Sequence, residues 1–476
     1  MVDTASNGGA CLAVHEPAPA TRVATAGDST SPIAPRAAPP ATLPTAPPPD
    51  LSKRDDATPP VGSLPAPPEK IVVEFDFESP PKTRHRLTPT FSFGAKFESD
   101  FEYESDFDLD SDAADDRLTG GPTLSLALSY EPSPYLRAFV EAKLERKFLL
   151  DGPRSESSDP VELNVSRANV TFPHLADGLA LQIGRQRLKD EREWYYDEKL
   201  DAVRLFYRID SLGFELSASR ERLFDRDLLN DDGKRAISNY FFVGRYAWAE
   251  DSMLEAFVLA RDDRTHRSRD PVFFGLRSTG EAFRNLDYWI DLAHVRGSDR
   301  SEDIRGYGID AGATYVFDAP FEPSLTLDAA FGSGDSDDDD GVDRAFRQTG
   351  LQDNSAKFNG VTRFKYYGEV FDPELSNMTI LTAGVGVRPS KRSSIDVVYH
   401  YYQQHRAAAS LRDAAVDISP QGRSRDLGHE VDLVVGYREI RDFDIEIVFG
   451  AFLPGDAFAD GSDNAYFGGL EFSYNF

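Results

Sequence analysis

Arginine is the residue type with the clearest chemical potential in this sequence. Of the 52 basic residues, 40 are arginine. A guanidinium group stays charged in every protein environment, and its planar fork can bind a carboxylate through two parallel hydrogen bonds. Such groups either brace a protein wall against Asp and Glu or contact an anionic ligand. For a single arginine we favour bracing, and for the whole set we favour ligand contact.

Other residue types that could do chemistry form no recognisable pattern. The acidic run at 335–340 misses the spacing of an EF-hand, so we interpret it as a solvated loop, with loose Ca²⁺ binding as the alternative. The eight histidines are scattered and Cys11 is the single cysteine, which argues against a metal site. No nucleophile–base motif and no phosphate-binding glycine motif occurs. The sequence therefore predicts no catalytic residue, no metal, no cofactor and no enzyme activity.

The net charge limits the possible partners, and the composition of the N-terminal residues predicts their conformation. The net charge of −29 at pH 7 predicts that nucleic acid is not a partner, because a phosphate backbone needs a basic surface. Residues 1–84 hold 17 of the 31 prolines, so we predict a disordered Pro/Ala-rich tail or linker there. The first residues lack the basic segment and the apolar stretch of a secretory signal, so no signal peptide is evident.

From about residue 88, apolar and polar side chains alternate in segments separated by turn residues. At the C-terminus, Leu470, Phe472 and Tyr474 share one face, and Glu471 and Ser473 share the other. This period of two predicts an all-β fold of about 18 strands, with 16 possible because one segment is weak. The predicted strands are 88–101, 122–131, 135–149, 161–172, 178–188, 200–209, 212–224, 236–248, 252–264, 271–278 (the weak one), 286–297, 307–318, 322–333, 377–388, 393–405, 428–439, 442–453 and 465–476.

The charges on the polar faces decide between a soluble and a membrane fold. A packed protein core cannot hold ions such as Asp310, Asp432 and Glu446, because each buried charge costs several kcal/mol. A water-filled lumen can hold them, and the apolar faces then contact lipid. Because lipid offers the backbone no hydrogen bonds, the sheet must close. We therefore predict a closed antiparallel transmembrane β-barrel over residues 85–476, in contact with outer-membrane lipids.

The lengths of the links support this topology. Long links such as 334–376, 406–427 and 454–464 follow odd-numbered strands, whereas the links after even-numbered strands are short, as at 439–441. Bacterial outer-membrane barrels have short periplasmic turns and longer extracellular loops. The pattern predicts the bacterial outer membrane as the location, with the long loop 334–376 outside the cell.

Three stretches resemble the alginate export family of outer-membrane porins. The first is GRQRLKDEREWYYDEKLDAVR at 184–204. The second runs from FGSGD at 331–335 through FRQTGLQDN at 346–354 to YGE at 367–369 and ELSN at 374–377. The third joins GHEVDL at 428–433 to FLPGDAF at 452–458. Together they span roughly residues 88–476.

The resemblance implies an 18-stranded channel with an arginine-lined lumen, through which an anionic polyuronate leaves the cell. The arginines in the matching motifs are then the expected constriction residues: Arg185, Arg187, Arg204, Arg347 and Arg363. Strand phase alone adds Arg137 and Arg167. The family's long turn before the penultimate strand is missing here, so gating would fall to loops 150–160 and 334–376.

The predicted function is passive export of an alginate-type exopolysaccharide, driven by synthesis behind it. Anionic polysaccharide is the expected partner, and periplasmic components of a secretion complex are further candidates. The alternative is a general or other-solute porin without polymer export. One detail stays open, because strict alternation from Ile183 would turn Arg185 and Arg187 towards lipid. A bulge near Gly184, or a position above the apolar band, would resolve this conflict.

Overall fold

The computed structural model describes residues 85–111, 116–153, 157–230, 236–265, 268–337 and 339–476. The predicted tail, residues 1–84, and Asp338 of the acidic run lie outside the described residues. Every regular element in the described ranges is a β-strand. In the same ranges, no helix has the length and apolar character needed to cross a bilayer.

Eighteen strands form the wall of the molecule. They are β1 (Phe91–Ser105), β2 (Arg117–Ser133), β3 (Leu136–Glu145), β4 (Glu162–Ala176), β5 (Leu179–Lys189), β6 (Asp197–Ile209), β7 (Leu212–Arg220), β8 (Ile237–Ala249), β9 (Ser252–Asp263), β10 (Arg269–Phe283), β11 (Leu286–Asp299), β12 (Glu302–Val316), β13 (Ser324–Gly332), β14 (Met378–Ser390), β15 (Ser393–Gln404), β16 (Asp426–Tyr437), β17 (Phe443–Pro454) and β18 (Ala465–Asn475). Shorter pairings occur at His85–Arg86, Phe148–Asp151, Val342–Asp343, Ser355–Ala356 and Phe364–Lys365.

The sheet closes on itself. Each strand pairs antiparallel with the next one in the chain. β1 then pairs with β18, from Lys96↔Asn475 to Ser105↔Tyr466. The predicted closed antiparallel barrel of 18 strands is therefore confirmed. The weak segment 271–278 belongs to a full strand, β10, so the alternative of 16 strands is wrong.

The two faces of the wall differ as the alternation predicts. Apolar side chains point outward and stay exposed in the isolated chain, for example Leu327 at 58% and Phe449 at 54%. Inward-facing acids such as Asp310, Glu430 and Asp432 are completely buried. Apolar surface of this extent suits lipid, which fits a barrel that spans a membrane.

The links alternate in length around the barrel. The links after even-numbered strands have two residues, with the exceptions of 317–323 and 438–442. Among the links after odd-numbered strands, the longest is 333–377. We call the two rims the short-link end and the long-link end. By the usual rule for outer-membrane barrels, they face the periplasm and the cell exterior.

The top of the β5–β6 hairpin, residues 186–200, leaves the wall and turns into the lumen. β5 pairs with β4 only as far as Arg185↔Ala168, and β6 pairs with β7 only as far as Asp201↔Arg220. The two strands nevertheless stay paired with each other up to Lys189↔Asp197. We call residues 186–200 the inner hairpin.

Gly184 lies where the inner hairpin departs, with a φ of +124°. A Cβ there would stand 2.2 Å from the carbonyl oxygen of Ala168, so only glycine fits. The inner hairpin leaves the end of β4 without its neighbouring strand. The β7–β8 loop takes that position, and its Asp227 forms an antiparallel β-bridge with Asn164 of β4. The departure accounts for the inward positions of Arg185 and Arg187, and the pairing of β5 with β4 and β6 shows no bulge at Gly184.

Residues 333–377, between β13 and β14, also enter the lumen, and we call them the inner loop. The loop starts and ends at the long-link end, and its tip reaches the short-link end. There Asn359 donates from Nδ2 to the carbonyl of Glu322 (3.2 Å), and the N–H of Val361 donates to Ser394 Oγ (2.9 Å). The inner loop therefore spans the height of the barrel.

The two inner segments build a hydrophobic core inside the barrel. Trp194 stacks on Phe346 with ring centroids 5.9 Å apart, and Phe371 stacks on Phe452 at 4.8 Å. The sequence predicts a wide aqueous lumen, but one side of the lumen is filled by these aromatic side chains. These aromatic side chains bury apolar surface away from water, and this burial stabilises the inner segments inside the barrel.

Candidate functional site

A belt of alternating charge runs along the inner wall from β6 to β10. Arg204 on β6 donates to Glu215 on β7 (2.7 Å), and Glu215 lies 3.5 Å from Arg245 on β8. Arg245 donates to Glu255 on β9 (2.7 Å), and Glu255 lies 3.9 Å from Arg277 on β10. Each strand supplies one charge, opposite in sign to its neighbours. Buried charges persist only when paired, so this belt is a brace for the wall.

The inner hairpin continues the belt across β11 and β12. These strands supply two neighbouring buried acids, Asp291 and Asp310. Arg192 of the inner hairpin lies 3.5 Å from Asp291 and donates to Asp310 at 3.2 Å. The inserted arginine offsets acids that would otherwise repel each other, and it fastens the inner hairpin to the wall.

The inner loop is fastened to the wall at two places. The hydroxyl of Tyr367 donates to Asp310 Oδ2 (2.6 Å). On the other side, Glu430 of β16 accepts the N–H groups of Val370 (2.7 Å) and Phe371 (3.0 Å). Hydrogen bonds to charged groups in a buried site are strong, so the loop is held firmly between β12 and β16.

Seven charged residues meet where the inner hairpin touches the inner loop. The acids are Glu193, Asp197 and Asp353, and the cations are Arg187, Lys189, Arg363 and Lys365. The three acids place carboxylate oxygens within 4.8 Å of one another, a spacing that could hold a metal ion. The cations already neutralise the acids, which disfavours a metal here. Burial, together with the charge of Asp197, raises the pKa of Glu193 to about 8.

Two small cavities lie between the inner segments and the wall of β17, β18 and β1–β4, which we call the open side. The first, of about 20 Å³, is lined by Glu98, Ser125, Glu141, Lys143, Arg167, Arg187 and Lys199. The second, of about 40 Å³, has the charged lining residues Asp100, Arg363, Lys365, Glu369, Glu446 and Glu471. Neither cavity has room for a sugar ring, so passage of a polymer there requires the inner segments to move.

Two lysines at the first cavity have no ion pair with any residue of the described ranges. They are Lys143 on β3 and Lys199 on the inner hairpin, and the charge of each acts on the other. Arg167 and Arg187 also lie close enough to repel Lys199. Arg167 and Arg187 are paired with acids, whereas an anion that entered the cavity would offset the mutual repulsion of Lys143 and Lys199.

A third such lysine, Lys357, lies in the tip of the inner loop. Burial, with the charges of Arg438 and Arg363, lowers its pKa to about 8. None of the described residues forms an ion pair with it. Together, Lys357, Arg363, Arg187 and Lys199 trace a line of cations along the open side, from the loop tip to the first cavity.

The structure brings three of the seven predicted arginines together. Arg187 and Arg363 both reach Glu193, at 3.8 Å and 2.9 Å. Arg167 lines the first cavity beside Arg187 and forms a buried pair with Glu141 (2.5 Å). These three lie on the open side, where contact with a ligand stays a prediction.

The other four predicted arginines are dispersed. Arg185 lies where the inner hairpin leaves the wall, and it donates to Asp201 (2.8 Å) and to the carbonyl of Phe224 (2.6 Å). Arg204 belongs to the belt. Arg347 pairs with Asp299 (2.8 Å) near the long-link end. Arg137 is exposed on β3, on the same side of the strand as the inward-facing Glu141.

The unpaired lysines are not among the site residues predicted from the sequence. A signal for Lys143 was present, since it alternates with the outward-facing Val140, Ala142 and Leu144 and so had to point inward. No such signal exists for Lys199, because strand phase places it outward and only the departure of the inner hairpin carries it into the lumen.

The sequence profile described as "Alginate export" matches residues 90–466. The chain belongs to the alginate export family. Its relatives include the "Alginate production protein AlgE" of Pseudomonas aeruginosa, 23% identical over 341 residues, which cover 60% of this chain and 68% of that one. The protein of the same name from Pseudomonas syringae is 22% identical, with coverage of 60% and 69%. The resemblance found in the sequence is confirmed.

Solved structures support the same fold. The Pseudomonas aeruginosa protein OccK11 (OpdR) aligns with a TM-score of 0.54 and 12% identity, covering 81% of this chain and 96% of its own. The outer membrane protein OprD of the same species aligns with a TM-score of 0.51 and 13% identity, covering 81% and 93%. Family and fold together show that this chain is a porin-like barrel of the outer membrane, as predicted. Both the family and the fold are typical of channels.

Proposed function

We propose that the barrel exports an anionic polyuronate of the alginate type across the outer membrane. The observation that carries this proposal is the line of cations on the open side of a barrel that belongs to the alginate export family. A polyuronate has one carboxylate on each sugar, so a line of cations offers successive contacts along the polymer. The chain acts as a channel without enzyme activity.

The mixture of paired arginines and unpaired lysines suits transport. A polymer must bind strongly enough to enter and weakly enough to move on, and several weak sites meet this need better than one strong site. Lysine ammonium groups on flexible stems can exchange partners quickly. The acids paired with Arg167, Arg187 and Arg363 weaken the attraction of these arginines for the polymer.

Movement through the channel is passive in this proposal. The sequence has no nucleotide-binding motif, so polymer synthesis on the inner side supplies the driving force. Periplasmic components of a polysaccharide secretion complex would deliver the polymer to the short-link end. Opening requires displacement of the inner loop or the inner hairpin, because the two cavities are too small for a sugar.

A deletion strain tests the proposal. We expect loss of the chain to leave uronic-acid polymer in the periplasm and to remove it from the medium, and we expect re-expression of the full chain to restore secretion. The measurement is uronic acid in the two fractions. Normal secretion by the deletion strain would contradict polymer export and favour a porin for other solutes.

A further inference from the structure

One carboxylate of the chain itself is held by three cations on the open side. Glu193 Oε1 forms ion pairs with Arg363 (2.9 Å), Lys189 and Arg187 (3.8 Å). The side chain of Glu193 is completely buried, and its second oxygen, Oε2, has no hydrogen-bond partner in the described part of the chain. Three cations therefore surround one oxygen of Glu193, and one of them, Arg187, is shared with Asp197.

The backbone is arranged to present this carboxylate. Glu193 has a φ of +56°, in the left-handed region that non-glycine residues rarely adopt. Its carbonyl accepts the N–H groups of Asp353 (3.0 Å) and Asn354 (3.1 Å) from the inner loop. The strained residue is therefore held in place from both inner segments, which is typical of residues with a functional role.

The three-cation site lies between the two cavities. Arg187 lines the first cavity and Arg363 lines the second, and both contact Glu193. A polymer that moved along the open side from one cavity to the other would have to pass the place that Glu193 occupies. At that place it would meet cations already arranged around a carboxylate.

We propose that Arg187, Lys189 and Arg363 form a binding site for one carboxylate of the transported polyuronate, and that Glu193 occupies this site until the polymer displaces it. The assignment rests on the proposed function. Glu193 then acts as an internal substitute for the ligand. When the polymer takes its place, the link between the inner hairpin and the inner loop is released, and the two cavities can join.

Glu193→Gln tests the assignment, because it removes the competing charge and keeps the shape of the side chain. We expect the variant of the full chain, in detergent micelles, to bind an oligomannuronate octamer about tenfold more tightly than the wild type, or by about 1.4 kcal/mol. Isothermal titration calorimetry measures the affinity. Glu198→Gln is the matched control, since the half-exposed Glu198 pairs with Arg226 outside the site, and its affinity should equal that of the wild type.

The outcomes separate the two proposals. Equal or weaker binding by Glu193→Gln overturns the assignment of the site and leaves polymer export standing. No binding by the wild type and by either variant contradicts export itself. If Glu193→Gln does not fold, Glu193→Asp decides, because it draws the carboxylate back by one methylene. Tighter binding than the wild type then supports the assignment, and equal or weaker binding overturns it.

Discussion

Arginine and lysine have different roles in this lumen, although both carry one positive charge. The planar fork of arginine suits fixed pairs, and Arg167, Arg204 and Arg277 each form a buried pair with an acid. Lys143 and Lys199 have flexible stems and no ion pair among the described residues. These three arginines therefore brace the wall, and Lys143 and Lys199 are groups whose charge is free to act on a passing anion.

The double substitution Lys143→Met and Lys199→Met tests this division of roles. We expect it to weaken binding of an oligomannuronate octamer about tenfold, or about 1.4 kcal/mol, because two unpaired charges are removed without exposing a buried partner. The measurement is octamer affinity by calorimetry with the full chain. Lys391→Met, in the β14–β15 turn at the short-link end, is the control and should change nothing. An unchanged affinity in the double variant would show that these lysines do not contact the polymer.

The strands could be predicted from the sequence and the inner segments could not, for a physical reason. Period-two alternation depends only on which side of a strand meets lipid, and it persists along the wall apart from irregularities such as the shift at Ser166–Arg167 in β4. Where the inner hairpin departs at Gly184, β5 and β6 lose their neighbours in the wall, but apolar and polar residues still alternate in their sequence. The sequence therefore contains no sign that Lys199 and Glu193 lie inside the lumen. The inner loop left a weak trace, since Tyr366, Tyr367 and Phe371 are unusually apolar for a solvated loop.

The tip of the inner loop can be replaced as a unit, which also removes Lys357 and Arg363. Ser355–Ala356 pairs with Phe364–Lys365, so residues 357–363 can be replaced by an Asn-Gly turn that closes the same ladder. We expect the single-channel conductance in planar bilayers to rise at least about twofold, because the tip spans the lumen to Glu322 and Ser394. As a control, the exposed link 459–462 shortened by two residues should leave conductance unchanged. An unchanged conductance in the tip variant would mean that the tip does not limit flow.

At the scale of the whole molecule, a strongly acidic protein is proposed to carry an acidic polymer. The net charge is −29, and the inner acids of β6–β13 are offset by the belt and by Arg192. Lys143 and Lys199, lumen lysines for which no ion pair occurs in the described ranges, lie on the open side. Their field acts over a few ångströms, whereas the net charge acts over the distance from which the polymer approaches. These two ranges respond differently to salt.

We therefore predict that the rate at which oligomannuronate enters the channel rises and then falls as the ionic strength increases. At about 10 mM salt the screening length is about 30 Å, and the net negative charge repels the approaching polymer. At about 0.1 M the length falls to about 10 Å, which suppresses the distant repulsion but leaves the lysine contacts. At about 1 M it is about 3 Å, and those contacts weaken as well. The rate of current block by an oligomannuronate octamer in planar bilayers should therefore be highest near 0.1 M. A block rate that only falls as salt increases would instead indicate a lumen whose positive charge dominates at every distance.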